Sequence, residues 1–227
     1  MIAFHWRVSV ARVLSLAAGF LVLGQGALNG QDPEAFALVE EAGVRYRGIQ
    51  AFCAAFEQEL EVPLLGETTY SRGTLCQERP NLFSMRFTDP RGDALVADGD
   101  HFWVFYPSVD SLQVIQFSME VRPGGVDFHR EFLDAPGEKY ELAYEGQESV
   151  GGRATHRIHA TPREAVSFRE AVIWLDSARS LILRARVTME NGSIRTVTLS
   201  DIEVSPAYDP HRFRFTPPPG AQIIRRQ

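Results

Sequence analysis

From Ile49 onward the apolar residues of this chain recur at every second position, in runs separated by turn signals. Period two belongs to a strand with one buried face. It is clearest where Phe83, Met85 and Phe87 alternate with Ser84, Arg86 and Thr88. Asp98-Gly99 then marks a tight turn between Leu95-Val96-Ala97 and His101 to Tyr106, while Asp89-Pro90 and Pro107 mark breaks. Further strands are expected at Ile49–Glu61, Tyr70–Glu78, Ser111–Glu120, Lys139–Tyr144, Arg153–Ala160, Ser167–Asp176, Leu181–Met189, Ile194–Val204 and Arg212–Phe215. Gly151-Gly152, Asp176-Ser177 and Asn191-Gly192 supply turns in the second half. Such a succession folds as one large antiparallel sheet, curled into a barrel or half-barrel.

The exception comes first. Asp32 as N-cap, Pro33 at the first helical position and Glu34 in the first turn predict a helix over 32–47. Phe36, Val39, Ala42 or Gly43, and Tyr46 follow at helical spacing, and Gly48 ends the run. A second, short helix is expected at Phe128–Leu133, stopped by Pro136-Gly137. Nothing divides residues 27–227, so one domain is expected.

Ahead of the helix, Arg7 and Arg12 precede an apolar run from Val13 to Leu23, and Gly24-Gln25-Gly26 offers small residues for cleavage. That is the pattern of a secretory signal peptide over residues 1–26, with an uncleaved anchor as the alternative. No cysteine lies near the cleavage region, so the chain is not itself acylated in the usual bacterial way. Residues 27–227 hold 21 basic and 29 acidic side chains, a net charge of −8. An acidic chain without a basic run suits neither nucleic acid nor an anionic membrane surface. If the segments around Cys53 and Cys76 form a hairpin turning at Pro63-Leu64-Leu65-Gly66, the two cysteines lie directly opposite each other. Export favours a disulfide between them, and a pair of reduced thiols is the alternative.

Chemistry is sparse. His156 and His159 are three apart on a strand and diverge, and no cysteine or carboxylate completes a metal site. Ser71, Ser108 and Ser111 lie outside any strand–serine–helix elbow, and Gly124-Gly125 opens no phosphate-binding helix. Glu57, Glu59 and Glu61 share a strand face and read as a solvated surface. No catalytic constellation, metal or cofactor is expected. What remains is apolar surface: 15 phenylalanines and three tryptophans either fill an ordinary core or line a pocket for an apolar ligand.

Several short motifs carry a resemblance. They are Phe56-x-Gln58, Gly73-x-Leu75, Arg79-Pro80-Asn81-Leu82-Phe83, Leu95-Val96-Ala97-Asp98-Gly99, Trp103-x-Phe105-x-Pro107 and Gln113-Val114, closing with Asp209-Pro210-x-x-Phe213-x-Phe215-Thr216-Pro217-Pro218-x-Gly220. In order and spacing the chain resembles the periplasmic outer-membrane lipoprotein carrier (LolA) family. The resemblance implies a mainly β fold with α: an incomplete antiparallel barrel of ten or eleven strands, with helices covering its concave apolar face. It implies a carrier and no enzyme, working as a monomer in the periplasm. Its implied partners are triacylated outer-membrane lipoproteins, an ATP-driven (ABC-type) release complex in the inner membrane and a receptor in the outer membrane.

Arg79 matches the family's arginine ahead of proline, which ties barrel to helical lid by hydrogen bonds and disfavours the closed state when lipid enters. Strand parity makes Phe52, Phe56, Leu75, Phe83, Met85, Phe87, Trp103 and Phe105 the expected cavity lining. The chain departs from the family at Met85, where tryptophan is frequent, at Asp110-Ser111-Leu112, which lengthens the approach to Gln113, and in its cysteine pair. Two other readings are a carrier or sensor of another lipid on the same half-barrel, and an enzyme using the same pocket. The lack of convergent polar groups counts against the enzyme.

Overall fold

The computed structural model describes residues 31–119, 128–207, 209 and 211–226; the expected signal peptide lies outside the described residues, as does Gly124-Gly125. Among the described residues there are three helices: α1 (Pro33–Arg47), α2 (Phe128–Leu133) and α3 (Pro136–Lys139). Six strands precede α2: β1 (Ala51–Val62), β2 (Glu67–Glu78), β3 (Leu82–Asp89), β4 (Arg91–Ala97), β5 (His101–Phe105) and β6 (Gln113–Ser118). Six follow α3: β7 (Tyr140–Val150), β8 (Arg153–Pro162), β9 (Phe168–Asp176), β10 (Ile182–Met189), β11 (Ile194–Val204) and β12 (Gln222–Arg226). Pro136 thus opens α3 as well as closing α2, since a proline without an N–H fits the first turn of a helix.

All twelve strands form one open sheet in the order β12-β6-β5-β4-β3-β2-β1-β11-β10-β9-β8-β7. The fold is therefore mostly β, with an unclosed sheet and few helices. At its centre β1 pairs with β11, joining the first half of the chain to the last; Phe56 faces Leu199 and Gln58 faces Val197. One strand was misplaced by the sequence reading. Residues 212–215 form no strand, because the segment runs into Pro217, Pro218 and Pro219, which have no N–H to give a ladder. The closing strand comes later, as β12, and pairs with β6 in parallel, Ile223 beside Val114.

The start of α1 is tied to the far edge of the sheet. Asp32 accepts N–H bonds from Glu34 and Ala35 through one carboxylate oxygen and from Tyr144 of β7 through the other. Those backbone donors, Tyr144 first, hold the Asp32 carboxyl below its ordinary pKa. Ala35, Val39, Ala42, Gly43 and Tyr46 form the buried stripe of α1. Gly43 lets the helices meet: a Cβ there would stand 2.8 Å from the Leu133 carbonyl oxygen at the end of α2. The helices and one face of the sheet enclose a single large core that runs from Phe83 and Phe102 through Phe52 and Leu199 to Ile158 and Tyr140.

Candidate functional site

The inner face of the sheet, the one beneath the helices, is built by strand parity. Phe52, Phe56, Leu75, Phe83, Met85 and Phe87 all stand on it in one cluster, each 6 % exposed or less. Phe102, Val104 and Tyr106 extend it beyond β4. The rings touch across intervening strands: Phe56 lies 5.1 Å from Phe87, and Phe87 lies 6.0 Å from Tyr106. Gly73 of β2 sits between the first pair, opposite Phe56 on one side and Phe87 on the other. A Cβ at Gly73 would lie 2.0 Å from the Arg86 carbonyl oxygen, so only glycine allows β2 and β3 to approach this closely.

Trp103 and Phe105 do not share this face. The Asp98–His101 turn pairs Ala97 with both Phe83 and Phe102, which sends Phe102 inward and Trp103 outward. On the outer face Trp103 and Phe105 pack against Phe215, at 5.5 and 5.7 Å between ring centroids. The Trp103 indole N–H donates to Asp98 at 2.6 Å, and Arg86 donates to the Arg214 carbonyl. These two aromatics thus hold the C-terminal segment to the back of the sheet. Phe102, Trp103 and Phe105 offer no polar alternation, so parity read from the sequence took the wrong phase in β5.

At one end of the inner face the helices join the sheet through Arg79, in the turn between β2 and β3. Its Nε donates to the Ile49 carbonyl and its Nη2 to the Tyr46 carbonyl, both at 3.0 Å. Its guanidinium also lies 4.5 Å from the centroid of the Tyr46 ring. The backbone N–H of Arg79 and the side chain of Gln50 close two further bonds across the same junction. His129 of α2 stacks on Tyr46 and meets Phe52 edge-on, each at 4.7 Å. Burial, reinforced by the nearby Arg79 charge, pushes the His129 pKa down to about 3, so the ring is neutral. A cleft of about 300 Å³ opens beside the junction, among Tyr46, Gln77, Arg79, Arg130, Leu133 and Asp134. His129 was not legible in the sequence; its place in a six-residue helix carries no pattern.

The other end of the inner face is more polar. Gln58 donates to the Ser71 hydroxyl, and Asp93 accepts from the Ser108 N–H and hydroxyl. Arg195 of β11 shares the parity of Val197 and Leu199 and faces Leu60 of β1 and Val187 of β10. Burial raises the pKa of Tyr106, and the Arg195 charge opposes that rise.

Cys53 and Cys76 are bonded to each other across β1 and β2, with Cα atoms 4.1 Å apart. His156 meets the Tyr144 hydroxyl while His159 pairs with Glu170. On the outer face Glu57, Glu59, Tyr70, Arg72, Thr196 and Thr198 border a cleft of about 410 Å³. Among the described residues no helix is long and apolar enough to cross a membrane.

Comparison with known proteins places this geometry. Residues 47–216 match the family model described as outer membrane lipoprotein carrier protein LolA. An outer-membrane lipoprotein carrier protein of Nitrosomonas europaea is 29% identical over 175 residues, 77% of this chain and 82% of that one. Another, from Alkalilimnicola ehrlichii, is 26% identical over 155 residues, 68% of each chain. An uncharacterized conserved protein from Thermus thermophilus shares the fold, with a TM-score of 0.51 at 15% identity, over 85% of this chain and 98% of its own.

Proposed function

This chain belongs to the LolA family of outer-membrane lipoprotein carriers, and from that premise we propose that it is a periplasmic carrier for the acyl chains of triacylated lipoproteins. It takes cargo from an ABC-type release complex in the inner membrane and hands it to a receptor in the outer membrane. The single observation that supports this reading is the aromatic inner face closed by helices that are fastened at Arg79.

Acyl chains gain about 0.8 kcal/mol per CH₂ on leaving water, so three of them cannot cross an aqueous space unshielded. A carrier must also let go. An aromatic surface without hydrogen-bonding groups holds lipid by area alone. The grip then depends on whether the helices lie on the sheet or lift from it. In the lifted state Phe52, Phe56 and Phe87 exchange contacts with the helices for contacts with lipid. In the closed state the bonds from Arg79 reward expulsion of the cargo.

The test is mass spectrometry of protein purified from the periplasm, together with lipoprotein localisation after depletion. Bound triacylated lipoprotein, and its retention in the inner membrane on depletion, is the expected result. Free lipid in place of lipoprotein would move the assignment to a carrier or sensor of another lipid, and correct lipoprotein localisation after depletion would overturn the transport role.

A further inference from the structure

Along β1 the inner positions run Phe52, Ala54, Phe56, Gln58 and Leu60, and opposite Leu60 stands Arg195. From Phe52 to Leu60 the strand covers about 27 Å, more than the roughly 15 Å of hydrocarbon in one bilayer leaflet. The inner face is thus apolar and aromatic at the Arg79 end, is long enough to lay an acyl chain along it, and ends at a cation.

Arg195 is not accounted for by the fold. Its neighbours across the sheet are Leu60 and Val187, both apolar, and Val187 is 3% exposed. Its Nε is buried, and no group among the described residues accepts a hydrogen bond from it. None of the ion pairs among the described residues includes it. Asp93, the carboxylate whose charge also reaches Tyr106, is already engaged by Ser108. A buried N–H with no acceptor weakens a folded protein, so a leucine or valine in the series of Val197 and Leu199 would serve the sheet better. The guanidinium has a planar fork of donors suited to phosphate or carboxylate.

We propose that Arg195 anchors the anionic headgroup of an amphiphile whose acyl chain lies along the inner face toward Phe52. The proposal rests on the lipid-carrier reading of the inner face and points to its second form, a carrier of another lipid: this face prefers an acyl ligand bearing a phosphate or carboxylate over a neutral one.

The test compares palmitoyl lysophosphatidylglycerol with monopalmitoylglycerol, below their micelle concentrations, by displacement of a neutral apolar fluorophore from the full exported chain. The anionic ligand is expected to bind about tenfold more tightly or better, as a charge-assisted bond implies. Arg195→Gln is expected to erase that preference while leaving monopalmitoylglycerol binding unchanged, and Arg195→Lys to keep most of it. The urea midpoint of Arg195→Gln should be no lower than that of the parent. Equal affinities in the parent, or a preference that survives Arg195→Gln, would overturn the proposal and leave the carrier reading intact. Binding of neither amphiphile would count against the carrier reading itself. Inorganic phosphate at millimolar concentration separates the remaining source: if it displaces the lysophospholipid as well as a second lysophospholipid does, the site is for a free anion and the amphiphile proposal fails.

Discussion

Arg79 holds Tyr46 twice, by a 3.0 Å hydrogen bond to its carbonyl and by the face of its ring at 4.5 Å. With the bond to Ile49, the contact ends α1 and fixes it to the sheet through one side chain. Hydrogen bonds from a charged donor contribute about 1.5–3 kcal/mol each. Loss of even one of them shifts a two-state lid toward its open, lipid-holding form by about one to two powers of ten. Arg79→Leu is therefore expected to accept lipoprotein as the parent does but to deliver it to the receptor at least tenfold more slowly. A transfer assay with purified components checks this, and delivery at the parental rate refutes the latch.

His129 makes the same junction sensitive to acid. Its pKa falls from an ordinary 6.5 to about 3 in the folded protein, so the unfolded chain binds the additional proton. The stability contributed by the neutral ring is complete above pH 6.5 and is lost as pH falls from there toward 3, on the order of 5 kcal/mol at the limit. Asp32, whose folded pKa is lowered, acts in the same direction at the bottom of that window. Urea unfolding between pH 7 and pH 4.5 should show a falling midpoint, and His129→Phe, which keeps the stack on Tyr46, should flatten most of the slope. An unchanged slope in that variant would place the acid sensitivity elsewhere.

Gly73→Ala puts a methyl group where the Arg86 carbonyl oxygen already stands, 2.0 Å away. Because the obstacle is backbone, β2 and β3 must part, and the Phe56–Phe87 contact widens with them. A loss of about 2–3 kcal/mol is expected, as for other overpacked sites. It is read as a lower urea midpoint at constant slope. A midpoint within error of the parent's would show that the two strands are not held this close.

The Cys53–Cys76 bond closes a loop with a sequence separation of 23. On the chain-entropy view, removing it costs about 3 kcal/mol, less whatever order the unfolded hairpin keeps. Cys53→Ser with Cys76→Ser should lower the melting temperature by several degrees. The parent should match the double variant once reduced. A parent indifferent to reductant would mean that the bond does not form in the purified protein.

Much of this architecture was legible because it follows local rules. Asp32-Pro33 marked the start of α1 and Gly48 its end, as capping chemistry requires. The alternation of Phe83, Met85 and Phe87 set the inner face of β3 correctly, since Ser84, Arg86 and Thr88 left no second apolar choice. In β5 that contrast was missing, and Trp103 and Phe105 were assigned to the wrong side. The closing strand was sought at Phe213 and Phe215, where large rings suggest a strand, but those rings serve a docked segment. The strand formed instead around Ile223-Ile224, a run too short to stand out. Arg195 could have been noticed as a charge interrupting the Val197–Leu199 series. His129 could not, since what makes it unusual is burial against residues distant in sequence.

The pairing of β1 with β11 sets the order in which this protein can be assembled. Leu60 and Arg195 are neighbours in the sheet but are separated by more than half of the chain. A polypeptide made from its N-terminus can close the hairpins β1 to β5 as they emerge, yet the middle of its sheet stays unmade until β11 has followed. Pairing of such high contact order is slow to form. The seam between the two halves of the sheet is therefore the last part of it that can close.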